Sequence, residues 1–340
     1  MRMSSRLAGL LALCLTLSAC GAPAAEGGIS YAPDETRRLT VYTSHKEEVY
    51  RPIVREFEAR TGIWVEVVAG GTNELLQRLA AEAETPQCDV MFGGGVDSLE
   101  AYRALFLPYT CAGAEQLQEA FRAEDDCWTP FSALPVVLIR NRKLVEPDEV
   151  TRWRDLFDEA YRGRIAFTDP AISGSSFTAL STLLSAVGGD EGETMARFAH
   201  ALAGKQLTSS AAVVTEVEKG SLLLGVTLEE TARQRIAAGA DIAIVYPADG
   251  TSCVPDGTAV IRGCAHEENA RRFVDFTVSA DVQEMLSANR RSVRRDVAPA
   301  ADMPELRDLP LTDYDIPAVS ARRDALLRAW AEAVQTEAGA

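Results

Sequence analysis

The sequence predicts an α/β fold in which parallel-rich sheets are flanked by helices, and three observations lead to it. The chain has 340 residues, of which 47% are hydrophobic and 25% charged, a composition typical of a globular protein of about two domains. Three successive segments near its start each combine a strand, a loop and a helix, and such units build parallel sheets. A fourth segment repeats the pattern further along. Because ligands of such sheets bind outside the carboxyl ends of the strands, the loops after the strands form the candidate site.

The first unit begins with residues 39–43, which alternate like a strand. Ser44 and His45 follow at once, and Ser44 with Glu47 matches the capping-box pattern of a helix start. An apolar stripe then continues at helical spacing through Phe57. Ser44 and His45 therefore lie where a strand ends and a helix begins, and both are candidate ligand contacts.

The second and third units place glycines and small polar residues at the same topological point. Residues 63–67 alternate as a strand, which leads through two glycines to Thr72 and Asn73. Residues 89–92 form a third apolar run, which continues into a triple glycine centred on Gly94. Three such loops at one edge of a sheet predict a ligand site there.

The fourth unit spans residues 165–187 and is the most suggestive. A short apolar run is broken by Asp169-Pro170, and a cluster of small residues follows. The apolar residues after the cluster recur at helical spacing, so a helix is predicted to begin near Ser175. Free N–H groups and hydroxyls at a helix start attract an anion, although a serine there can also act only as a cap. The candidate residues of this cluster are Ser173, Gly174, Ser175 and Ser176.

The net charge of −16 argues against nucleic acid and anionic membrane surfaces as partners. A small anionic ligand is still compatible with it, because neutral N–H and O–H donors bind anions without surplus cations. No cofactor is expected, and no cysteine cluster has zinc-site spacing.

Residues 1–20 are predicted to be a lipoprotein signal peptide, and residues 21–38 a flexible tether. Two arginines precede an apolar run that is too short to span a membrane as a helix. The segment ends in Leu-Ser-Ala-Cys20, which resembles the lipobox of bacterial lipoproteins. The resemblance implies cleavage before Cys20, lipidation of that residue and stable anchoring to the membrane; a plain secretory signal is the alternative.

Five cysteines lie beyond the signal and Cys20. Export permits disulfides, and the pairs Cys111–Cys127 and Cys253–Cys264 are expected from their proximity in sequence, which leaves Cys88 as a buried thiol. Spacing alone does not determine connectivity.

Several segments in this order resemble the bacterial extracellular solute-binding proteins, the receptors of ABC importers. The similarity covers about residues 39–286, in the group that includes receptors for ferric iron, thiamine, 2-aminoethylphosphonate and sugar phosphates. The segments that carry it are 41–45, 57–63, 89–95, 153–174 and 246–251.

The resemblance implies a two-lobed periplasmic-binding-protein fold of type II, with the ligand clamped between lobes that close by a hinge motion. The first lobe is expected to comprise residues 39–134 and 247–279. The second is expected to comprise residues 135–246 and 280–340, including the C-terminal helices. A long apolar segment, residues 131–139, is expected to carry the chain from one lobe to the other.

The resemblance also bears on the ligand. Ferric-iron receptors place two adjacent tyrosines after the strand that matches residues 220–226, whereas this chain has Leu228-Glu229-Glu230-Thr231 there. An organophosphate or phosphonate is therefore the expected ligand. Its anionic group would be surrounded by the serines of the fourth unit with Ser44 and Thr72, and Glu229 and Asp249 would accept hydrogen bonds from its remainder. The resemblance also places Tyr246 near the site. If iron is bound instead, His45 and Glu229 are the candidate metal ligands.

A secreted hydrolase is the competing class. It is disfavoured because the sequence contains no Gly-x-Ser-x-Gly elbow and no His-Glu-x-x-His motif. The expected protein is a monomeric, lipid-anchored, extracytoplasmic receptor that partners the transmembrane subunits of an ABC permease, and it is not an enzyme. A sensory role in which ligand occupancy is passed to a receptor kinase is a further possibility.

Overall fold

The computed structural model describes residues 33–339. The predicted signal peptide, Cys20 and most of the tether lie outside the described residues. The strands are β1 (Arg38–Thr43), β2 (Trp64–Ala69), β3 (Val90–Gly95), β4 (Phe106–Leu107), β5 (Thr129–Asn141), β6 (Ile165–Ala166), β7 (Leu224–Leu228), β8 (Ile242–Val245), β9 (Cys253–Ile261) and β10 (Arg291–Ser292). The helices are α1 (Glu47–Thr61), α2 (Thr72–Ala81), α3 (Val96–Glu100), α4 (Gly174–Val187), α5 (Glu191–Leu202), α6 (Ser210–Glu218), α7 (Glu229–Ala237), α8 (Glu267–Thr277), α9 (Ala280–Leu286), α10 (Ile316–Ala321) and α11 (Arg323–Gly339). No helix within residues 33–339 is both long enough and apolar enough to cross a membrane.

The sheet is mixed, and its parallel part is the one that the first three units predict. Strand β1 pairs in parallel with β2 on one side and β3 on the other. Strand β9 then pairs antiparallel with β3 and with β5, and β5 pairs antiparallel with β7 and β8. The short strand β6 is parallel to β7. The α/β fold is confirmed, with antiparallel pairing through the long strands β5 and β9.

Two groups of core residues define two lobes. The first lobe packs around Leu39, Phe92 and Phe273 on one face of β1 and β3, and around Leu76 and Leu99 on the other. The second lobe packs around β7, with helices α4 and α5 on one face and α6 on the other. Each sheet is covered on both faces, as expected for strands linked by helical crossovers.

Strand β5 passes from the first lobe to the second. Its first half places Phe131 and Ala133 in the core of the first lobe, and its second half places Val136 and Leu138 in the core of the second. Every residue of β5 except Arg140 is buried. The long apolar segment thus contributes to both cores.

Part of the C-terminal segment packs differently from the expected division. Val282 and Val293 lie in the core of the first lobe, and Tyr314 packs against its second face. Leu326 and Trp330 lie in the core of the second lobe. Residues 280–340 therefore begin on the first lobe and reach the second in α10, where Val319 packs against its core, because the apolar side chains before it find their partners in the first lobe.

Two predicted helix starts have different outcomes. Helix α4 begins at Gly174, and the hydroxyl of Ser173 accepts a hydrogen bond from the Ser176 amide, so the predicted start is confirmed. The capping box at Ser44 is wrong, because α1 begins later and its N-cap is Lys46, with no side-chain cap. Ser44 is thereby left at the end of β1, free of a capping role.

The expected disulfides are also wrong, since all five cysteines within the described residues carry free thiols. Cys253 begins β9, whereas Cys264 lies beyond its end, so about 30 Å of strand separates them. A disulfide needs Cα atoms within about 7 Å. Cys111 packs in the core that contains Phe131, and Cys127 packs in the core on the other face of the sheet. The two side chains of this second pair therefore face different cores.

Candidate ligand-binding site

A cavity of about 590 Å³ lies where the two lobes meet, next to the carboxyl ends of β1 and β3. Residues from both lobes line it, as the position of the loops predicts. The lining residues are Ser44, His45, Lys46, Gly70, Gly71, Thr72, Asn73, Glu74, Gln77, Gly94, Gly95, Leu134, Ala171, Ile172, Ser173, Gly174, Ser175, Thr178, Thr208, Ser209, Ser210, Thr227, Leu228, Glu230, Thr231, Asp256 and Arg290.

Five helices of nine or more residues begin at this cavity, because their N-cap residues all belong to its lining; the short helix α3 also begins there, at Gly95. The N-caps are Lys46 of α1, Gly71 of α2, Ser173 of α4, Ser209 of α6 and Leu228 of α7. The first N–H groups of a helix have no acceptor within the helix, and each N-terminus carries about half a positive elementary charge. Backbone donors and positive potential from both lobes are thus directed at one space.

The starts of α2 and α4 come into direct contact, and glycine makes this possible. A Cβ at Gly174 would lie 3.0 Å from Cβ and Oγ1 of Thr72. Gly94 lies beside them with a φ of +94°, and a Cβ there would lie 2.6 Å from Cγ2 of Thr72. A side chain at Gly94 would clash and one at Gly174 would press on Thr72, so glycine lets two helix starts from different lobes form one continuous wall.

Hydroxyl groups cluster on this wall. The Oγ atoms of Ser173 and Ser175 lie 3.0 Å apart and share a hydrogen bond. Thr208, Ser209 and Ser210 line the cavity at the start of α6. Each hydroxyl can donate a hydrogen bond, so the wall adds O–H donors to the backbone N–H donors.

His45 presents a neutral imidazole to the cavity. Its ring packs against Phe92 and Phe131, at centroid distances of 4.5 and 5.1 Å. Burial, and then the charge of Arg290, lower the pKa of His45 well below its ordinary value. Nε2 lies 3.5 Å from Oδ2 of Asp256 and has no hydrogen-bond partner among the described residues. His45 thus combines a place in the cavity lining with a buried nitrogen that has no partner in the described part of the chain.

Arg290 forms the charged floor of the cavity together with two carboxylates. Its Nη1 lies 3.0 Å from Oδ2 of Asp256 and 2.7 Å from Oγ of Ser132, and its Nη2 lies 3.3 Å from Oε1 of Glu230. Oδ1 of Asp256 accepts hydrogen bonds from the amide and hydroxyl of Ser132, at 2.7 and 2.8 Å. The three charged side chains are almost fully buried, which is tolerable only because they are paired.

The two floor carboxyl groups differ in their pKa. Burial raises the pKa of Asp256, and the nearby Arg290 only partly offsets this. Burial also raises the pKa of Glu230, but Arg290 and Lys46 outweigh it, so its pKa lies below the ordinary value. Glu230 is therefore ionised at neutral pH. Lys46 reaches across from the first lobe, and its Nζ donates to Oγ1 of Thr231 at 3.3 Å.

Eight of the twelve residues predicted to contact a ligand line the cavity. They are Ser44, His45, Thr72, Asn73, Gly94, Ser173, Gly174 and Ser175. The fourth serine of the cluster, Ser176, is buried behind the lining. The eight lining residues come together because they lie in or next to the loops that follow strands.

Glu229, Tyr246 and Asp249 do not line the cavity. Both carboxylate oxygens of Glu229 are engaged by Arg291, at 2.7 and 2.8 Å, and Oε1 also accepts from the hydroxyl of Tyr246. Oδ1 of Asp249 accepts a hydrogen bond from the amide of Trp153 at 2.9 Å. The two carboxylates are thus occupied within the protein: Glu229 forms a buried ion pair, and Asp249 holds the start of the short 3-10 helix Trp153–Phe157.

Sequence reasoning missed the charged part of the site. Lys46, Glu230, Asp256 and Arg290 were not among the predicted contacts, and neither were the hydroxyl residues before α6. Asp256 lies inside a strand that is otherwise almost entirely apolar, and a lone acid in such a segment signals a buried, paired carboxylate. Arg290 gave no comparable signal, since its neighbour Arg291 has the same side chain and pairs elsewhere.

The candidate iron ligands are not brought together. His45 lines the cavity, whereas Glu229 is enclosed by Arg291 and Tyr246. Among residues 33–339, no group of three or more His, Cys, Asp and Glu side chains is arranged to hold a metal ion.

Comparisons with known proteins identify the family of the chain. The family model of bacterial extracellular solute-binding proteins matches residues 100–317. An uncharacterised protein of Haemophilus influenzae is 24% identical over 338 residues, which cover 94% of this chain and 98% of that one. Iron uptake protein A1 of Synechocystis is 24% identical over 290 residues, 80% of this chain and 79% of that one.

Among solved structures, the periplasmic binding protein AfuA of Actinobacillus pleuropneumoniae, with fructose-6-phosphate bound, matches with a TM-score of 0.81. It is 21% identical, and the match covers 88% of this chain and 98% of AfuA. At this identity the likeness concerns the fold, and it confirms the two-lobed periplasmic-binding-protein architecture.

Proposed function

The chain belongs to the bacterial extracellular solute-binding proteins, and from this premise we propose that it captures a small phosphorylated or phosphonate solute between its lobes. It would deliver this solute to the transmembrane subunits of an ABC importer. The proposed protein is a monomer held at the outer side of the cell membrane by lipid on Cys20, and it carries out no chemistry on its ligand.

The convergence of five helix N-termini on one cavity carries this proposal. A phosphoryl group has several acceptor oxygens, and helix starts supply N–H donors together with a favourable dipole. The hydroxyls of Ser173 and Ser175 and the neutral ring of His45 add further donors. These groups offset the overall charge of −16 locally, where an anion would lie.

The size of the cavity favours an organic phosphate over the inorganic ion. A volume of about 590 Å³ lies within the range of about 300–1,000 Å³ that is typical of sites for small organic molecules. Glu230 and Asp256 at the floor can accept hydrogen bonds from hydroxyl or amine groups on the remainder of the ligand. AfuA, which shares the fold and has fructose-6-phosphate bound, supports a ligand of this class.

Ferric iron is the second candidate, and the relationship to iron uptake protein A1 favours it. In this chain, however, the cavity offers the imidazole of His45, the carboxylate of Glu74, and two carboxylates, Glu230 and Asp256, that are already paired with Arg290. Hard anionic oxygens are the ligands that a ferric ion requires. The donor set therefore fits an oxyanion better than a cation.

Calorimetric titration with fructose-6-phosphate, 2-aminoethylphosphonate and ferric citrate tests the proposal. We expect heat of binding with at least one phosphorus compound, and we expect the double variant Ser173→Ala/Ser175→Ala to bind it at least about tenfold more weakly, because hydrogen bonds to charged groups contribute roughly 1.5–3 kcal/mol each. Ser279→Ala is the matched control, since Ser279 is the N-cap of α9 outside the cavity lining.

Two results would count against the proposal. Unchanged affinity in the double variant would show that the hydroxyls of Ser173 and Ser175 do not bind the anionic group. Release of inorganic phosphate from the ester during incubation would instead indicate a hydrolase.

A further inference from the structure

Asn73 was predicted to contact the ligand, but its side chain is fully occupied inside the protein. Nδ2 donates to the carbonyl oxygens of Pro170 and Ala171, at 3.2 and 2.8 Å. Oδ1 accepts a hydrogen bond from Nη2 of Arg323. Only 4% of the residue is exposed. Both amide protons are therefore used, and the amide has no free donor for a ligand.

These three hydrogen bonds join the two lobes. Asn73 belongs to α2, whose apolar face packs in the first lobe through Leu76. Pro170 and Ala171 precede α4, and Arg323 begins α11; both helices pack in the core of the second lobe. The guanidinium of Arg323 lies 4.8 Å from the ring centre of Phe177 in α4, which fixes it on the second lobe.

The neighbouring contacts show that the lobes meet closely along this rim. Thr72 lies against Gly174, and a Cβ at Gly71 would lie 3.3 Å from the carbonyl oxygen of Ile172. Deeper in the interface, Oγ1 of Thr178 in α4 donates to Oδ2 of Asp97 in α3 at 2.8 Å. The lobes are thus apposed here by contacts that need no ligand.

We propose that Asn73 is a latch that holds the lobes together at the rim of the cavity, and that it is a positioning residue with no direct contact to the ligand. Closure brings the starts of α2 and α4 into one wall, so the latch keeps this proposed anion-binding wall assembled before a ligand arrives. A binding-competent conformation that is populated in advance strengthens apparent affinity by the same factor. The latch thereby sets how tightly the receptor binds, independently of which solute it takes.

Small-angle X-ray scattering on the ligand-free protein tests this directly. Bound small molecules are first removed by unfolding and refolding, and the radius of gyration of the purified chain is compared with that of Asn73→Ala. Loss of the latch is expected to lower the ratio of closed to open molecules by at least about tenfold, because three hydrogen bonds between the lobes are lost, and the radius of gyration rises accordingly.

Asn269→Ala is the matched control. Nδ2 of Asn269 also donates to two backbone carbonyls, those of Thr36 and Arg38, at 3.0 and 2.8 Å, and the residue is 7% exposed. Both acceptors lie next to or within β1, in the same lobe as Asn269. The two variants are therefore expected to lower the melting temperature similarly, whereas only Asn73→Ala increases the radius of gyration.

A second variant keeps the proposal testable if Asn73→Ala does not fold. Asn73→Asp keeps the acceptor for Arg323 but loses both donors to the loop, and it is also expected to open the lobes. Equal radii of gyration for the natural protein, both Asn73 variants and the control would overturn the proposal.

Discussion

Replacing Arg290 with methionine is predicted to destabilise the protein strongly at neutral pH and much less in acid. Arg290 is 5% exposed, and its guanidinium is the partner of both Asp256 and Glu230. Removing one member of a buried ion pair costs about 3–5 kcal/mol, since the remaining charge is left buried without compensation. Two carboxylates lose their partner here, so we expect a loss of about 4–5 kcal/mol near pH 7. Methionine keeps much of the apolar volume, so a cavity contributes little to this loss.

The direction of the pH dependence follows from the pKa of the two acids. In the natural protein the pKa of Glu230 is lowered, so its contribution to stability is present above its unfolded value and is lost as the pH falls. Without Arg290, burial dominates, and the pKa values of both Glu230 and Asp256 rise above their unfolded values. Each ionised acid then lowers the stability of the variant, and this penalty disappears as the acids become protonated.

Urea unfolding at about pH 7 and about pH 4.5 measures the effect. The free-energy difference between the natural protein and Arg290→Met should shrink in acid. Adding Asp256→Asn should restore part of the stability of Arg290→Met near pH 7, because it removes one uncompensated charge. An equal deficit at both pH values, or additive effects of the two substitutions, would refute the charged-floor account.

Three further predictions concern other parts of the structure. Asp249→Ala should lower the free energy of unfolding by about 1–2 kcal/mol in urea through loss of the acceptor for the Trp153 amide, with ligand affinity unchanged; reduced affinity would instead indicate a ligand contact. Gly94→Ala should cost about 1–3 kcal/mol in the same assay, because its φ of +94° disfavours a side chain, and a neutral result would contradict the geometry at Thr72. Burial raises the pKa of Cys111 to about 11 and that of Cys253 to about 12, so a thiol-directed disulfide reagent should modify these two only after unfolding, and rapid reaction of the folded protein would contradict this.

The parallel part of the fold was predictable because its signals are local. Strand β1 alternates, and β3 runs into glycines that adopt positive φ values. Strand β9 was not predicted, since Pro255, Asp256 and Gly257 interrupt its apolar pattern. Its pairing with β5 satisfies the backbone at these positions, and Asp256 finds its partners in distant parts of the chain. The lone acid marks a buried carboxylate, but the distant groups that compensate it lie outside any local sequence window.

The neutral donors of the candidate site were predictable for the same reason, and its charges were not. Ser173, Ser175 and Thr72 lie at helix starts that the sequence marks. Whether an acid lines the cavity or is paired behind it depends on an arginine that is distant in sequence. Arg291 binds Glu229 outside the cavity lining, whereas Arg290 binds the adjacent Glu230 within the lining. Glu229 and Glu230 are consecutive residues of α7, and no local sequence pattern distinguishes the acid behind the cavity from the acid that lines it.

Native mass spectrometry of the protein as purified tests the central proposal most directly, because a closed receptor can retain its ligand. We expect an added mass equal to that of a phosphate ester or a phosphonate, and this mass should be lost in Ser173→Ala/Ser175→Ala. An added ferric ion, alone or with a bridging anion, would contradict the account and would make His45 the first candidate metal ligand to substitute.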